Sequence, residues 1–343
     1  MPLSGDFDFI QAKLHGQRSR VYERERLDEL CELRTTDQLW ARLYPEAEPA
    51  GHRELERQLL ADHVAALDSV RLHLPERLAP FGAWVMRRYQ IENLKTLLRA
   101  WKAREPLARV QPLLAPLRRD LALDAAAFLN APGLPDFIRL IREEALRDAA
   151  LRSVPQYEET QGTFFVESAL DGTYYAGLLE RHAALRPAPR EQTKALVGLE
   201  VAVYNVLAAF RLKLNYGIPY KQALPFLANG VPEARRLRRL YESPEFREMR
   251  GAIPHEMARR DGLAVASTIA ELEVLFWERL LEVANRQFYR SAGDLGGVVA
   301  FFIVKRAELA NLIRVIEGVR YGMEPGAIKQ GLLRVEELTA ATR

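Results

Sequence analysis

The chain has 343 residues, 48% of them hydrophobic and 28% charged, which supplies ample apolar material for a sizeable core and argues against disorder as the main state. Lys and Arg total 49 against 46 Asp and Glu, a formal charge of +3, well short of the strongly basic surface of a dedicated nucleic-acid binder. Cys31 is the single cysteine, which excludes an intrachain disulfide and a cysteine metal cluster and fits a reducing compartment.

In chain order, Met1 to Ile10 carries Asp6 and Asp8 where a secretory signal would carry positive charge and then an apolar stretch, so no signal is expected. Thr35-x-x-Gln38 reads as a capping box, followed by Leu39, Trp40, Leu43 and Tyr44 on one helical face. Ala131-Pro132-Gly133-Leu134-Pro135 is a break. Asp171-Gly172 sits beside a helical pattern and is no hairpin signal, and Pro187-Ala188-Pro189 reads as a loop between two long helices. Ala228-Asn229-Gly230-Val231-Pro232 is a second break. Arg235 to Arg239 is the densest basic run, but Glu233, Glu242 and Glu245 flank it and no aromatic ladder accompanies it. A solvated helix face, or a contact with an acidic partner, is the expectation over phosphate binding. Thr268-x-x-Glu271 is a further capping box, leading into Leu272, Leu275, Phe276, Leu280 and Val283. Val298 to Val304 is the longest apolar run, far short of the roughly 18 residues that cross a bilayer, so no direct membrane span is expected. No stretch alternates apolar and polar residues as a strand would. The pattern predicts an all-α fold.

The helical pattern also repeats. Leu170, Asp171, Tyr174, Tyr175, Leu178 and Leu179 align with Leu272, Glu273, Phe276, Trp277, Leu280 and Leu281, and a weaker copy starts at Leu55-Glu56 with Leu59 and Leu60. Each such helix is followed by a second one bearing an asparagine in its apolar stripe: Asn93, Asn205 and Asn311. Six residues on stands a charged group, Arg99, Arg211 or Glu317. A proline then follows 13, 14 and 14 residues after the asparagine, at Pro106, Pro219 and Pro325. Tyr216-Gly217 and Tyr321-Gly322 precede the last two prolines, which reads as a helix, a glycine stop and a proline that starts the next short helix. Three units are predicted, at 1–130, 131–240 and 241–343.

None of these residues forms a reactive constellation. The asparagines are expected to staple backbone groups inside the core, since no base or nucleophile stands beside them. The six histidines show no zinc-site spacing, and His255-Glu256 lacks the second histidine of a metalloprotease motif. Gly293-Asp-Leu-Gly-Gly297 lacks the Gly-Lys-Ser/Thr of a phosphate loop and reads as a link between two helices. No catalytic residue, cofactor or metal site is expected. A solenoid-type scaffold or adaptor is a competing reading, although units of over 100 residues exceed the 33 to 47 residues of common solenoid repeats. A nucleic-acid binder using the Arg235–Arg239 run, and an enzyme with a dispersed site, are the others.

The order and length of these patterns resemble one family over essentially the whole chain. Glu308-Leu-Ala-Asn311-Leu-Ile-Arg-Val-Ile-Glu-Gly318 with Tyr321-Gly322 and Ile328, and Tyr89-Gln-Ile-Glu92-Asn93-Leu-Lys-Thr-Leu-Leu-Arg99, are similar to the C subunit of V/A-type rotary ATPases (ATP synthases), the relative of the eukaryotic V-ATPase d subunit. Lys13 and His15 depart from the arginines expected there. The resemblance implies a funnel with pseudo-threefold symmetry and a non-catalytic central-stalk role. It implies the D and F shaft subunits and the membrane proteolipid (c/K/L) ring as partners. A cytoplasmic location, peripheral to the membrane through the complex, follows from the same likeness.

Overall fold

The computed structural model describes residues 4–228, 231–291 and 293–334. Among them every regular element is a helix and no strand occurs, so the fold is all-α. Asn229-Gly230 of the second break lies outside the described residues, as do the side chains of Asp6, Pro232, Glu233 and Arg236.

Six long helices dominate. They come as three consecutive pairs: His52–Arg71 with Ala79–Ala103, Phe164–Ala183 with Pro187–Phe210, and Ile269–Arg290 with Leu295–Arg320. The second member of each pair carries Asn93, Asn205 or Asn311. Helices Ser4–Arg18, Arg24–Cys31 and Thr36–Leu43 precede the first pair, and short helices fill the intervals. Thr35 forms a full capping box with Gln38. At the other predicted box Thr268 Oγ1 accepts from the Glu271 N–H, while the Glu271 carboxylate reaches back to the Ser267 N–H.

Pro187 and Pro189 correct one expectation. They lie in the first turn of the helix Pro187–Phe210 and not in a loop. The first-turn N–H groups of a helix have no intrahelical acceptor, so a proline there sacrifices no bond. This helix and its extension to Asn215 are long and apolar enough to cross a membrane, yet most of that stretch is buried within the protein. Val298 to Val304 is likewise buried throughout.

Contacts divide the chain into two compact units, Met1–Leu74 with Val274–Arg343, and Pro75–Glu273. This partition follows packing, whereas the division at 130 and 240 follows sequence similarity. In the first unit the Asn311 helix packs on His52–Arg71. Leu312, Val315, Ile316 and Val319 there join Leu55, Leu59, Leu39 and Trp40 in one core. Cys31 lies in it as a buried thiol, which burial pushes above its ordinary pKa.

In the second unit the Asn93 helix packs against Phe164–Ala183, which also packs on the Asn205 helix. The Trp84 ring sits over Gly177 with the Arg181 guanidinium 3.6 Å from its centroid, and its indole N–H donates to the Tyr174 carbonyl at 2.9 Å. Gly172 lies against the Phe226 carbonyl, which also accepts from the Tyr204 hydroxyl at 2.6 Å.

The ends of the three asparagine helices share a stop. Gly322 has φ +65°, its N–H donates to Val319 and the Met323 N–H donates to Gly318, the two bonds of a Schellman cap. In the first copy the same pair of bonds runs from Arg104 to Trp101 and from Glu105 to Ala100, with Arg104 at φ +55°. Arg104 thus occupies a glycine position that the sequence does not announce. An L side chain in this region costs about 1–2 kcal/mol, partly offset by the greater chain entropy glycine loses. Arg104→Gly is expected to stabilise the protein by about 0.5–1 kcal/mol, measured by urea unfolding.

Candidate functional site: three amide clamps and their charged seams

The three asparagines are buried, with exposures of 6%, 1% and 4% for Asn93, Asn205 and Asn311. A buried amide costs stability unless all its polar atoms find partners. Each finds them in the same way. The Asn93 side-chain NH2 donates to the Ala115 carbonyl at 2.9 Å, and its Oδ1 accepts from the Ala115 N–H at 2.8 Å. Asn205 makes the same two bonds to Ala228, at 2.9 and 2.8 Å. Asn311 makes them to Leu333, also at 2.9 and 2.8 Å. In each copy one amide therefore grips both polar atoms of one residue on the returning chain.

The elements between asparagine and gripped residue explain the spacing. The chain leaves the helix at the positive-φ stop and turns at the proline. Pro106 and Pro219 stand just before Leu107–Val110 and Tyr220–Ala223, while Pro325 is the first residue of Pro325–Gln330. The chain then runs back along its helix. The gripped residue lies 22, 23 and 22 positions after the asparagine. The extra residue of the second copy falls between Asn205 and Gly217, where Arg211–Asn215 forms a π-helical turn. A π turn is how a helix absorbs one inserted residue without rotating what precedes it. The insertion is taken up before the stop, so the clamp geometry is preserved.

The charged positions six residues after the asparagines lie on seams with the neighbouring helix. Arg99 Nε donates to Glu167 at 2.9 Å, and this contact raises its pKa. Arg211 donates to Glu273 at 2.7 Å. Glu317 meets another acid, Glu56.

The sequence reading missed a buried polar network in the second unit. Lys95 Nζ donates to Glu92 at 2.9 Å and to both oxygens of Asp171 at 3.1 and 3.2 Å. Burial works against the Lys95 ammonium, but Asp171 and Glu92 outweigh it and raise the pKa. Arg88 donates to the Tyr175 hydroxyl at 2.6 Å and lies 3.6 Å from Glu200, and the Tyr175 ring stacks on Tyr204 at 4.2 Å. The one available signal was the alignment of Asp171 with Glu273 and Glu56, which marks that acid as a repeat feature.

In the first unit a cleft of about 580 Å³ opens beside the third clamp, lined among others by Arg18, Tyr22, Asn285, Tyr289 and Arg334. Several of its ionic groups are engaged in ion pairs. Arg18 holds Glu23 through two bonds of 2.7 and 2.8 Å and also donates to Asn285, and Arg334 pairs with Asp28. Glu308 accepts from Lys305 and from the Tyr22 N–H. Such pairing orders side chains. Of the six histidines His63 is buried, and burial with Lys305 and Arg306 nearby lowers its pKa to about 3. Among the described residues no group of three or more His, Cys, Asp and Glu side chains could hold a metal ion. Arg235, Arg238 and Arg239 are exposed on an amphipathic helix whose Leu237 and Leu240 are buried, and Arg238 pairs with Glu242.

The chain is similar to known proteins over most of its length. The family model described as ATP synthase (C/AC39) subunit matches residues 10–331. The A-type ATP synthase C subunit of Methanosphaera stadtmanae is 21% identical over 95% of this chain and 88% of its own length. The protein of the same description from Methanobrevibacter smithii is 20% identical over 88% and 81%, and that from Methanosarcina mazei 23% over 72% and 68%. The matched span contains Asn93, Asn205 and Asn311, and this chain belongs to the ATP synthase (C/AC39) subunit family.

Proposed function

We propose that the chain is a non-catalytic central-stalk subunit of a V/A-type rotary ATPase, coupling the D–F shaft to the membrane proteolipid (c/K/L) ring during ATP-linked proton or sodium translocation. The observation that carries this reading is the amide clamp, built three times at matched spacing in a chain of this family. The relatives are described as C subunits of A-type ATP synthases, which supports membership of such a complex here.

A coupling protein has to transmit torque without yielding. Packed helices whose returning segments are bonded at both backbone atoms suit that demand, and no reactive side chain is required. The three repeats at 1–130, 131–240 and 241–343, arranged as a pseudo-threefold funnel, belong to the proposal. So does a cytoplasmic location, peripheral to the membrane through the complex. No cofactor and no nucleic acid enters this role.

Mixing the purified chain with the purified D–F shaft, and separately with detergent-solubilised proteolipid ring, tests it. A complex with each by size exclusion is the expected outcome, with ATP hydrolysis by the head unaffected when the chain is left out but ion pumping lost. A chain that binds neither shaft nor ring sinks the proposal.

A further inference from the structure

Two of the three seams join a base to an acid. Arg99 meets Glu167, and Arg211 meets Glu273. At the third, Glu317 stands at the arginine position, and the facing helix again presents an acid, Glu56. Both glutamates are half-buried where the His52–Arg71 and Asn311 helices pack through Leu55, Leu59, Leu312, Val315 and Ile316. Glu56 Oε1 is shielded from solvent and has no hydrogen-bond donor. Two ionised carboxylates have no proton to offer each other, whereas a proton held between them supplies the missing donor.

The charged groups that face Glu56 are few. Arg53 stands on its own helix, and Glu317 and Arg320 approach from the Asn311 helix. Arg320 is engaged with Glu317 at 3.0 Å, and Arg57, next to Glu56 in the chain, is held by Glu54 at 2.7 Å. Neither arginine takes the place of the base found at the other two seams.

We propose that Glu56 binds a proton against the Glu317 carboxylate, which closes the seam between the His52–Arg71 and Asn311 helices, and that the seam loosens when Glu56 loses that proton. Burial, and after it the neighbouring Glu317 carboxyl, raises the Glu56 carboxyl to about 7. A carboxyl raised on folding contributes stability that is complete below its unfolded value, near 4.5, and is lost as pH rises through about 7. The device therefore works around neutrality. It is local to one seam because the other two carry arginine at the equivalent position.

Hydrogen exchange and thermal unfolding of the full chain at pH 5.5, 7 and 8.5 test it, on wild type and on Glu56→Gln, Glu317→Gln and Glu317→Arg. Wild-type amides within 52–71 and 312–320 are expected to open about tenfold more at pH 8.5 than at pH 5.5, after correction for intrinsic exchange, the equivalent of one pKa unit. Either glutamine variant should flatten that dependence. Glu317→Arg, which restores the pattern of the other seams, should flatten it and raise the melting temperature above wild type at pH 8.5. The proposal is overturned if wild type and both glutamine variants share one pH dependence, or if Glu317→Arg melts below wild type at pH 8.5. Should one glutamine variant fail to fold, the other and the arginine variant decide the matter. All readouts use the isolated chain, so they stand or fall independently of binding to shaft or ring.

Discussion

Replacing Asn93 with alanine is expected to destabilise the protein by about 2–4 kcal/mol, because it strips partners from two buried backbone groups at once. Ala115 is buried, and both its N–H and its carbonyl are bonded by the Asn93 amide. The loss is larger than a typical hydrogen bond because the orphaned groups have no water to turn to. Asn93→Asp separates charge from shape. Its oxygens can still accept from the Ala115 N–H, but an ionised oxygen would face the Ala115 carbonyl where the NH2 now donates. That variant should be at least as unstable as alanine at pH 7 and recover as pH falls, since protonation restores a donor. Urea unfolding across pH 4 to 8 reads both effects. A cost under 0.5 kcal/mol for alanine (~0.5 being ordinary for a surface change) would mean that the returning chain finds other partners.

Gly177→Ala is expected to be comparably damaging, by about 3 kcal/mol, for a steric reason. An added Cβ would stand 2.6 Å from Trp84 Cε2 and closer still to Cζ2. The Trp84 ring has little freedom to retreat, since its N–H is bonded to the Tyr174 carbonyl and Arg181 covers its face. The two helices must therefore separate, opening the packing between Ala79–Ala103 and Phe164–Ala183. Loss of melting temperature together with a shift in tryptophan fluorescence is the expected signature. Gly198→Ala serves as the control: nothing lies within 4 Å of its added Cβ, and alanine favours a helix. Equal damage from both substitutions would show that contact with Trp84 is not the cause.

Much of this architecture was legible in the residues. Helical periodicity, the capping box at Thr35 and the absence of alternation led to an all-α fold, because these signals depend on neighbours one turn away. The Asn–stop–proline order was legible for the same reason, and the family followed from its repetition. The charged position after each asparagine could be seen, but not what it meets. Arg99, Arg211 and Glu317 look interchangeable in sequence spacing, yet two form ion pairs and the third faces an acid. Arg104 shows the opposite limit. Its residue type disguises a left-handed stop that only the backbone reveals. Pro187 and Pro189 misled because a proline breaks a helix interior yet is harmless in its first turn, and local sequence does not say which applies.

The sequence by itself therefore determined the class of fold and the three asparagines, which rest on patterns written within about 15 consecutive residues, and the family, which rests on the order of those patterns along the chain. Tertiary structure alone decided what the asparagines grip and which charges face each other. It also decided that a π turn absorbs the extra residue before Gly217. The grips and charge pairings join groups 22 to 261 positions apart, from Asn93 and Ala115 to Glu56 and Glu317. Nothing local to either partner encodes the other. The pairing exists once burial has removed water as the competing partner.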